Sequence, residues 1–503
     1  MKKYDVIVIG TGAGNIIIEE ALKNGSKCAL IEKDKFGGTC LTRGCIPTKV
    51  MVSVADAIRE MQSYSKIGIR VEKPVVDFDL LSKRVWTKID ESIELKEFFE
   101  AADNLDVYEG TARFLENKVI EVTNKEDGSK EKLSADKIFI NVGARTKINS
   151  FEGLDGVDYL TSETFFGHRF PQKPYKSIVI LGGGPIGCEF AHVFSALGTK
   201  VTLVQHNVRL LPREEEEVSA EILKYMRHFG VEVILNQDTV SIREEAGSKF
   251  LVIKERTTGE EREVSAEEVL FASGVRANSN LLSLENTDIE TDSKGWILTN
   301  EFLETSVEGV YALGDINGKQ QFRHKANYEA DILAHNLFMN KKPEEFRWTS
   351  YDLVPAVTFC YPQVAHVGLT QKEAVEQGYQ VKVGYNHYYE TAKGYALGHE
   401  KGDELGAFAK LIVDKDTNKM LGIHVVGTQA SILIQPFLNL MNAGEQDLVP
   451  INEHIGSPLT FKLREEKAKR YLDPQDHRAI REAMVPHPTL SEVSIWTFYH
   501  MSE

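Results

Sequence analysis

The sequence predicts an α/β fold with two Rossmann-like dinucleotide-binding domains and a C-terminal α+β domain. Three observations predict it. A strand, a glycine-rich turn and a helix follow one another over residues 4–24, and the same order recurs over residues 177–197. From about Trp348 onward, the pattern changes to alternating apolar and polar residues, which is typical of antiparallel strands. A chain of 503 residues is also too long for a single hydrophobic core.

The first unit has every part of a dinucleotide-binding motif in order. An apolar strand at residues 4–9 leads to Gly10, Gly12 and Gly14, and the next strand ends at Glu32. Glycines let the backbone approach a pyrophosphate at a helix N-terminus. An acidic residue about 20 positions later is placed to bind ribose hydroxyls. The first unit therefore predicts a bound dinucleotide.

The second unit repeats the pattern, with glycines at the first, third and sixth positions of its turn: Gly182, Gly184 and Gly187. The strand after its helix ends at Gln205 instead of at a carboxylate. A carboxylate there would repel the 2′-phosphate of NADP, and His206, Arg209 or Arg213 could supply positive charge to it. These residues favour NADPH slightly over NADH. The alternative is that Gln205 hydrogen-bonds NAD and the basic residues are only surface residues.

Cys40 and Cys45 lie four residues apart, just before a helix that we predict from about Thr48. Such a pair can close a small disulfide loop, and the helix N-terminus stabilises a thiolate released on reduction. Unrelated buried cysteines or half of a zinc site are the alternatives, although no second Cys/His pair stands at metal spacing. The other three cysteines are predicted to be buried core thiols: Cys28, Cys188 and Cys360.

Composition narrows the class of protein. The net charge of −16 argues against nucleic-acid binding and against a basic membrane-binding surface. No apolar run is long enough to span a bilayer. The chain enters a strand at once without a signal-peptide pattern, and five cysteines make no disulfide framework. We therefore expect a cytoplasmic protein.

The run Gly-Gly-Thr-Cys-Leu-Thr-Arg-Gly-Cys-Ile-Pro-Thr-Lys at residues 37–49 resembles the redox motif of the pyridine nucleotide–disulfide oxidoreductases. Gly314-Asp315 and the run from His487 to Glu492 resemble two further motifs of that family. The resemblance implies an FAD domain with its redox dithiol, an NAD(P) domain, a central FAD segment and a dimerisation domain. We place them at residues 1–150, 151–276, 277–348 and 349–503.

The resemblance also implies roles for the catalytic residues. Cys45 would be the thiolate that contacts the flavin, and Cys40 would exchange disulfides with the substrate. His487 would act as acid and base, oriented by Glu492. Family geometry implies that this histidine comes from the partner subunit, so that a homodimer shares each active site. Lys49 would form an ion pair with Glu189 close to the flavin.

Cofactor contacts are implied for residues of both units. For FAD they are Gly10, Gly12, Gly14, Glu32, Gly38, Thr39, Lys49, Ala112, Gly143, Asp315 and His324. For NAD(P) they are Gly182, Gly184, Gly187, Gln205, His206, Arg209 and Gly274. No resident metal is implied.

The function implied is two-electron transfer between NAD(P)H and a disulfide, of the dihydrolipoamide dehydrogenase type. The substrate would be a small disulfide or a lipoyl group, including one on the lipoyl domain of a carrier protein. A mycothione- or glutathione-reductase type is the alternative, followed by a flavin-containing regulatory subunit. A charged helical insertion at about 461–484 departs from the family pattern. It is predicted to be an exposed helix pair or, alternatively, a docking surface or lid.

Overall fold

The strand Lys2–Ile9 lies at the centre of the first sheet. In the computed structural model, which describes residues 1–497, Ile7 and Ile9 pack on one face of this sheet and Val6 and Val8 on the other. Burial on both faces is typical of a central parallel strand. Five strands run parallel in this sheet, in the spatial order Leu105–Glu116, Cys28–Glu32, Lys2–Ile9, Lys130–Ile140 and Val310–Ala312. A sixth strand, Val119–Asn124, is antiparallel. It pairs with the outer halves of Leu105–Glu116 and Lys130–Ile140.

The second sheet is fully parallel and is buried on both faces in the same way. Ile178 and Ile180 face one cluster of apolar side chains, and Val179 and Leu181 face another. Its spatial order is Glu268–Phe271, Ser177–Leu181, Lys200–Val204 and Glu232–Ile234. A three-stranded antiparallel sheet adjoins it, with strands Gln237–Glu245, Ser248–Glu255 and Glu261–Ala266. A short pair, Ala144–Thr146 with Val275–Ala277, connects the two units.

The C-terminal sheet is antiparallel and has five strands. Burial alternates along Phe408–Asp414, so one face packs on the core, as the alternating pattern predicts. Its spatial order is Ala356–Thr358, Gln363–Gly368, Met420–Gly427, Phe408–Asp414 and Val381–His387. A separate hairpin pairs Gly444–Asp447 with Lys469–Leu472. The last six residues of the predicted fourth segment lie outside the described part of the chain.

Helices cover the sheets and connect them. None of those within residues 1–497 has the length and apolar character needed to cross a bilayer. The α-helices are Gly14–Lys23, Gly38–Arg43, Cys45–Ser63, Phe78–Glu100, Ser162–Phe165, Pro185–Ala196, Glu216–His228, Arg323–Phe338, Gln371–Glu376, Ala392–Ala396, Ala430–Leu433, Gln435–Asn442, Pro458–Glu465, Arg478–Arg481 and Ser491–Ile495.

Two of the predicted elements differ from the structure. The predicted redox helix from Thr48 begins earlier, at Cys45, and a short helix, Gly38–Arg43, precedes it. Gly44, with φ −138° and ψ −115°, interrupts the helix between the two cysteines. The helix predicted after the last sheet strand is divided at Ile434, because Pro436 has no N–H with which to continue the hydrogen-bond ladder.

The predicted insertion is not a pair of exposed helices. Over residues 461–484 the chain finishes the helix Pro458–Glu465, forms the hairpin strand Lys469–Leu472 and makes one short helical turn. The prediction failed because the strand is stabilised by pairing with Gly444–Asp447, a long-range contact that local periodicity does not show. Residues 448–486, which we call the return segment, follow the first strand of this hairpin, include its second strand and lead to the active site.

Candidate active site

Cys40, Cys45 and His487 form one cluster. Both thiols are reduced, and their sulfur atoms and one imidazole nitrogen all lie within 4.8 Å of one another. Cys40 lies in the helix Gly38–Arg43, and Cys45 is the first residue of the next helix. The helix dipole therefore favours a negative charge on Cys45. The same three groups have the spacing of metal ligands, so the zinc alternative gains a third ligand that the sequence pattern did not show.

The two thiols differ sharply in acidity. A hydrogen bond from Cys40, together with the charges of Lys49, His487 and Arg323, lowers the pKa of Cys45 to about 6 despite its burial. The same hydrogen bond, with burial, raises the pKa of Cys40 well above its usual value. At neutral pH, Cys45 therefore carries the thiolate and Cys40 keeps its proton.

His487 is held in one tautomer by its carboxylate partner. Its Nδ1 lies 2.6 Å from Glu492 Oε1, so the ring donates its Nδ1 proton to Glu492. Glu492 also accepts the backbone N–H of Thr489 at 3.2 Å, which orients the carboxylate. The other ring nitrogen, Nε2, lies 3.3 Å from Cys40 Sγ. Nε2 can therefore accept the Cys40 proton.

The expectation that a partner subunit supplies this histidine stays a prediction. Within one chain, Nε2 of His487 and Sγ of Cys40 are within hydrogen-bonding distance. The return segment packs along the central part of the same chain, through the Arg464–Glu301 and Arg347–Glu482 pairs, and leads to His487.

Lys49 and Glu189 form the predicted ion pair, with Nζ and Oε2 2.8 Å apart. Glu189 also accepts the backbone N–H of Phe359 at 2.9 Å. The Lys49 ammonium lies over the Phe359 ring, 4.4 Å from its centroid. The pair thus joins the redox helix, the second unit and the C-terminal domain beside the cysteines.

The first glycine turn has the features that a dinucleotide requires. A Cβ on Gly10, where φ is +100°, would lie 2.4 Å from the carbonyl oxygen of Asn141. Gly38 approaches Gly12 so closely that its Cβ would lie 2.9 Å from the Gly12 Cα. Asn15 beside the turn has a buried side-chain oxygen without a partner among the described residues. The close backbone packing around the turn fits a phosphate-bearing cofactor such as FAD, and the Asn15 oxygen could accept a hydrogen bond from a donor group of that cofactor.

Asn141, which follows the strand Lys130–Ile140, packs against this turn in a role that the sequence did not reveal. With its amide oxygen turned toward the turn, it accepts the N–H groups of Ala13 and Gly14 at 3.1 and 2.7 Å. Ala13 cannot cap the following helix with its own side chain, so Asn141 satisfies those donors instead. Its only signal in the sequence is its place directly after a buried apolar strand and two residues before Gly143.

Glu32 ends its strand beside the same turn. Its Oε2 accepts the backbone N–H and the hydroxyl of Thr11 at 3.0 and 2.6 Å. On the other side, Gly314 precedes Asp315, and its backbone N–H donates to the fully buried Glu329 at 2.7 Å. Lys325 pairs with Glu329 at 3.1 Å. Both predicted acids, Glu32 and Asp315, are thus positioned by hydrogen-bonded loops.

The second turn is closely packed, and the residues predicted for nucleotide specificity already have partners. A Cβ on Gly187 would lie 1.8 Å from the Gly182 carbonyl oxygen. Gln205 is buried and accepts the N–H of Gly183 at 2.9 Å. His206 lies 2.7 Å from Asp238, and Arg209 lies 2.9 Å from Glu216. Part of the predicted positive charge is therefore neutralised.

The remaining predicted cofactor residues fall at the same two sites or along the adjoining strands. Ala112 pairs with Val122 in the outer part of the first sheet, three positions beyond Glu109, which pairs with Glu32. His324 accepts the His487 N–H and lies 2.9 Å from the carbonyl oxygen of Pro355. The others are Thr39 in the helix Gly38–Arg43, Gly143 after the strand Lys130–Ile140, Gly184 at the start of Pro185–Ala196 and Gly274 after Glu268–Phe271.

Arg323 adds positive charge to the dithiol. It is the first residue of the helix Arg323–Phe338, and its guanidinium lies near Gly12. Because Arg323 contributes less than Lys49 to lowering the pKa of Cys45, we expect Arg323→Leu to raise that pKa by a fraction of a unit. A pH titration of thiolate absorbance in the reduced protein measures the shift. Lys49→Met should produce a larger shift, and an unchanged midpoint in Arg323→Leu would contradict this assignment.

Comparison with known proteins identifies the family. The model described as "Pyridine nucleotide-disulphide oxidoreductase" matches residues 4–330, and that family's dimerisation domain matches residues 354–454. The chain belongs to this family. The family and the fold class predicted from the sequence are thereby confirmed, and the chain is an enzyme of this FAD- and NAD(P)-dependent class.

Similar proteins within the family carry several different names. A mycothione reductase of Mycobacterium tuberculosis is 33% identical over 88% of this chain and 94% of its own length. A dihydrolipoyl dehydrogenase of Chlorobaculum parvum is 35% identical over 86% of this chain and 89% of its own length. The solved structure of the HOCl-induced flavoprotein disulfide reductase RclA from Escherichia coli superposes with a TM-score of 0.73, at 25% identity over 99% of this chain and all of that one. These relatives leave the disulfide substrate open.

Proposed function

We propose that this family member transfers two electrons between NAD(P)H and a lipoyl-type disulfide, as dihydrolipoamide dehydrogenases do. One observation carries the proposal. Cys45 is the acidic thiol, while Cys40 keeps a proton 3.3 Å from the Nε2 of an oriented histidine. A stable thiolate and a separate thiol beside a base are what disulfide exchange requires.

The residues around the two glycine turns would hold the cofactors. Glu32 and Asp315, with the turn at Gly10–Gly14, would bind FAD, and the turn at Gly182–Gly187 would bind NAD(P)H. Bound FAD would supply two-electron transfer between the nicotinamide and the dithiol. We also propose the division into residues 1–150, 151–276, 277–348 and 349–503, with the last forming a homodimer.

The chain's own residues account for the exchange reaction. His487 takes the proton from Cys40, and the Cys40 thiolate attacks one sulfur of the substrate disulfide. A mixed disulfide forms, and the departing substrate sulfur takes the proton from His487. The Cys45 thiolate then attacks Cys40 Sγ. This attack closes the Cys40–Cys45 disulfide and releases the second substrate sulfur. That sulfur takes its proton from solvent. The substrate gains two electrons and the dithiol loses two.

The surroundings of His487 favour a largely apolar substrate. Leu490 and Val493 are about three-quarters exposed, at 75% and 74%, on and beside the helix Ser491–Ile495. The Trp496 ring lies nearly parallel to the imidazole, with centroids 6.5 Å apart. An aliphatic dithiolane on a carrier domain would bury such side chains better than a charged peptide disulfide. The mycothione-type reaction is the second candidate, favoured by the relative aligned over 94% of its length.

We propose NADPH as the slightly preferred nucleotide, because no carboxylate ends the strand before Gln205. The pairing of His206 and Arg209 with carboxylates limits the preference. We therefore expect kcat/KM with NADPH to exceed kcat/KM with NADH by no more than about tenfold, or roughly 1.4 kcal/mol. Gln205→Glu should reverse it, because a carboxylate binds ribose hydroxyls and repels a 2′-phosphate. Steady-state kinetics with both nucleotides measures the ratio, and Gln205→Leu controls for lost packing. An unchanged ratio in Gln205→Glu would contradict the assignment.

Anaerobic reduction of the purified holoenzyme tests the proposal. NADPH or NADH should produce long-wavelength absorbance from the Cys45 thiolate beside the flavin, and lipoamide should discharge it rapidly. Discharge by mycothiol disulfide or glutathione disulfide alone would support the second candidate. If neither nucleotide produces the band, the dithiol does not exchange electrons with the flavin, and a regulatory role replaces the enzymatic one.

A further inference from the structure

We propose that the chain binds a divalent metal ion of the zinc type at a second site, with Glu214, His366 and His424 as its ligands. Glu214 lies just before the helix Glu216–His228 of the second dinucleotide-binding unit, and the two histidines lie on strands of the C-terminal sheet. One nitrogen or oxygen atom of each residue lies within 4.8 Å of the other two. The ion would join the unit to the sheet, and the proposal does not depend on the disulfide chemistry.

The sheet places the two imidazole rings side by side. His366 is opposite His424 in the register of two antiparallel strands, and the ring centroids are 5.2 Å apart. Because side chains alternate along a strand, both rings lie on the same face as Val364 and Val426. Those valines belong to the apolar cluster that also contains Ile222 of the helix Glu216–His228. The rings therefore face the second unit.

Glu214 supplies the negatively charged ligand from that unit. Its side chain is buried, and its Oε2 lies 2.8 Å from Nδ1 of His366. A proton shared between these two atoms accounts for the contact without a metal. A cation can take the place of that proton, because carboxylate oxygens and imidazole nitrogens are both ligands of zinc. The His366 side chain is 17% exposed, which gives an ion a path of entry.

His424 has a feature that an ion pair alone does not explain. Its side chain is fully buried, and its Nε2 donates to the Leu369 carbonyl at 3.0 Å. In the neutral ring this bond leaves the lone pair on Nδ1, and Nδ1 has no hydrogen-bond partner within residues 1–497. A buried acceptor without a partner costs free energy, which a bound metal ion would offset. Histidines that bind metals usually donate their other N–H to a carbonyl or carboxylate in this way.

The charges around the three ligands favour a cation. Lys410 is opposite His424 on the next strand, and its ammonium alone would repel a metal ion. That ammonium is 2.9 Å from Glu215 and 3.1 Å from Glu217, so its charge is neutralised. Together with Glu214, three carboxylates face one ammonium. A net negative charge therefore remains at the site.

The donor set determines the class of metal. Two imidazole nitrogens and one carboxylate oxygen suit zinc and similar transition ions, whereas magnesium and calcium prefer oxygen ligands. Three protein ligands leave a fourth tetrahedral position for water. Glu214 and His366 are 152 positions apart, so no local spacing of ligands shows this site in the sequence. Because the ligands come from two units, we expect the ion to stabilise their contact.

Zinc retention by the holoenzyme tests the proposal. The parent protein carries Cys40→Ser and Cys45→Ser, because the dithiol is part of the other cluster with the spacing of metal ligands. It is stripped with a chelator, incubated with Zn²⁺ alone and dialysed, and the zinc content per chain is measured. Further variants are made in this parent and compared with it. Far-ultraviolet circular dichroism verifies that each variant is folded.

Two ligand variants, His366→Gln and Glu214→Gln, are compared with a matched control, His454→Gln. His454 also lies 2.8 Å from a glutamate, Glu290, but this exposed pair has no third ligand within the described chain. We expect one zinc ion per chain in the parent and in the control, and binding roughly tenfold weaker or more in both ligand variants. Zinc should also raise the unfolding temperature of the parent but not that of His366→Gln.

Loss of zinc from the parent on dialysis, or equal retention by His366→Gln, would overturn the proposal and leave the cluster as an ion pair. If the ligand variants do not fold, crystals of the parent grown with Zn²⁺ decide the question by anomalous scattering at the zinc edge. A peak between His366 and His424 supports the site, and the lack of one there overturns it. No disulfide turnover is measured, so failure of the proposed function would leave this result unchanged.

Discussion

Replacing Cys40 by serine should lower disulfide turnover by roughly 10⁴-fold or more, because the substituted hydroxyl cannot form a mixed disulfide at neutral pH. The substitution should leave FAD bound, since it deletes none of the groups proposed to hold the cofactor. Reduction by NADPH should still occur, since that half of the reaction does not need the exchange thiol. Stopped-flow absorbance separates the two halves by measuring reduction first and discharge by lipoamide afterwards.

Cys28→Ser is a matched control for this experiment. Cys28 is buried in the first sheet, and its Sγ donates to the Ser26 carbonyl at 3.5 Å. The Cys28→Ser variant should keep wild-type turnover per folded molecule. Cys45→Ser should instead lose the long-wavelength band itself, because the thiolate responsible for it is absent. Near-normal lipoamide turnover in Cys40→Ser would remove the basis of the proposed mechanism.

The thiolate on Cys45 also gives the band a defined pH dependence. The pKa of Cys45 is lowered to about 6, so the band should grow as pH rises through that value and fade below it. An ordinary cysteine would titrate near 8.5. A band that appears only near pH 8 or above would show that the hydrogen bond from Cys40 and the nearby positive charges do not hold the thiolate.

The elements nearest to the glycine turns could be predicted from the sequence because local rules determine them. The strand Ser177–Leu181, for example, lies where the second unit was predicted to begin, since four buried apolar residues followed by glycine admit few alternatives. The cysteine pair was predicted as a redox pair, but its helical start at Cys45 was not. That start depends on the backbone angles of Gly44, which no side-chain pattern encodes.

The path of the return segment lay beyond what the sequence could predict. The Arg464–Glu301 pair joins residues 163 positions apart, and the Arg347–Glu482 pair joins residues 135 positions apart. A run rich in Lys, Arg and Glu favours an exposed helix when only neighbouring residues are considered. Here two of its arginines, Arg464 and Arg481, pair with the buried carboxylates of Glu301 and Asp331 in distant parts of the chain. Removing one partner of such a buried pair typically costs about 3–5 kcal/mol.

His487→Gln should lower turnover by about 10²- to 10⁴-fold, the usual contribution of a general acid or base. Glutamine can still form hydrogen bonds but can neither accept the Cys40 proton nor deliver one to the departing sulfur. The thiolate band should persist, because Cys45 keeps its hydrogen bond from Cys40 and the charge of Lys49. Stopped-flow kinetics should therefore show normal reduction by NADPH and slow discharge by lipoamide.

Glu492→Gln separates orientation of the histidine from proton transfer. Its amide can still accept the Nδ1 proton of His487 but no longer stabilises a positively charged ring, so the loss should be smaller than in His487→Gln. The double variant should be little slower than His487→Gln alone, because Glu492 acts only through the ring. If the two losses multiplied instead, Glu492 would have a role independent of His487, and the 2.6 Å contact would not account for its effect.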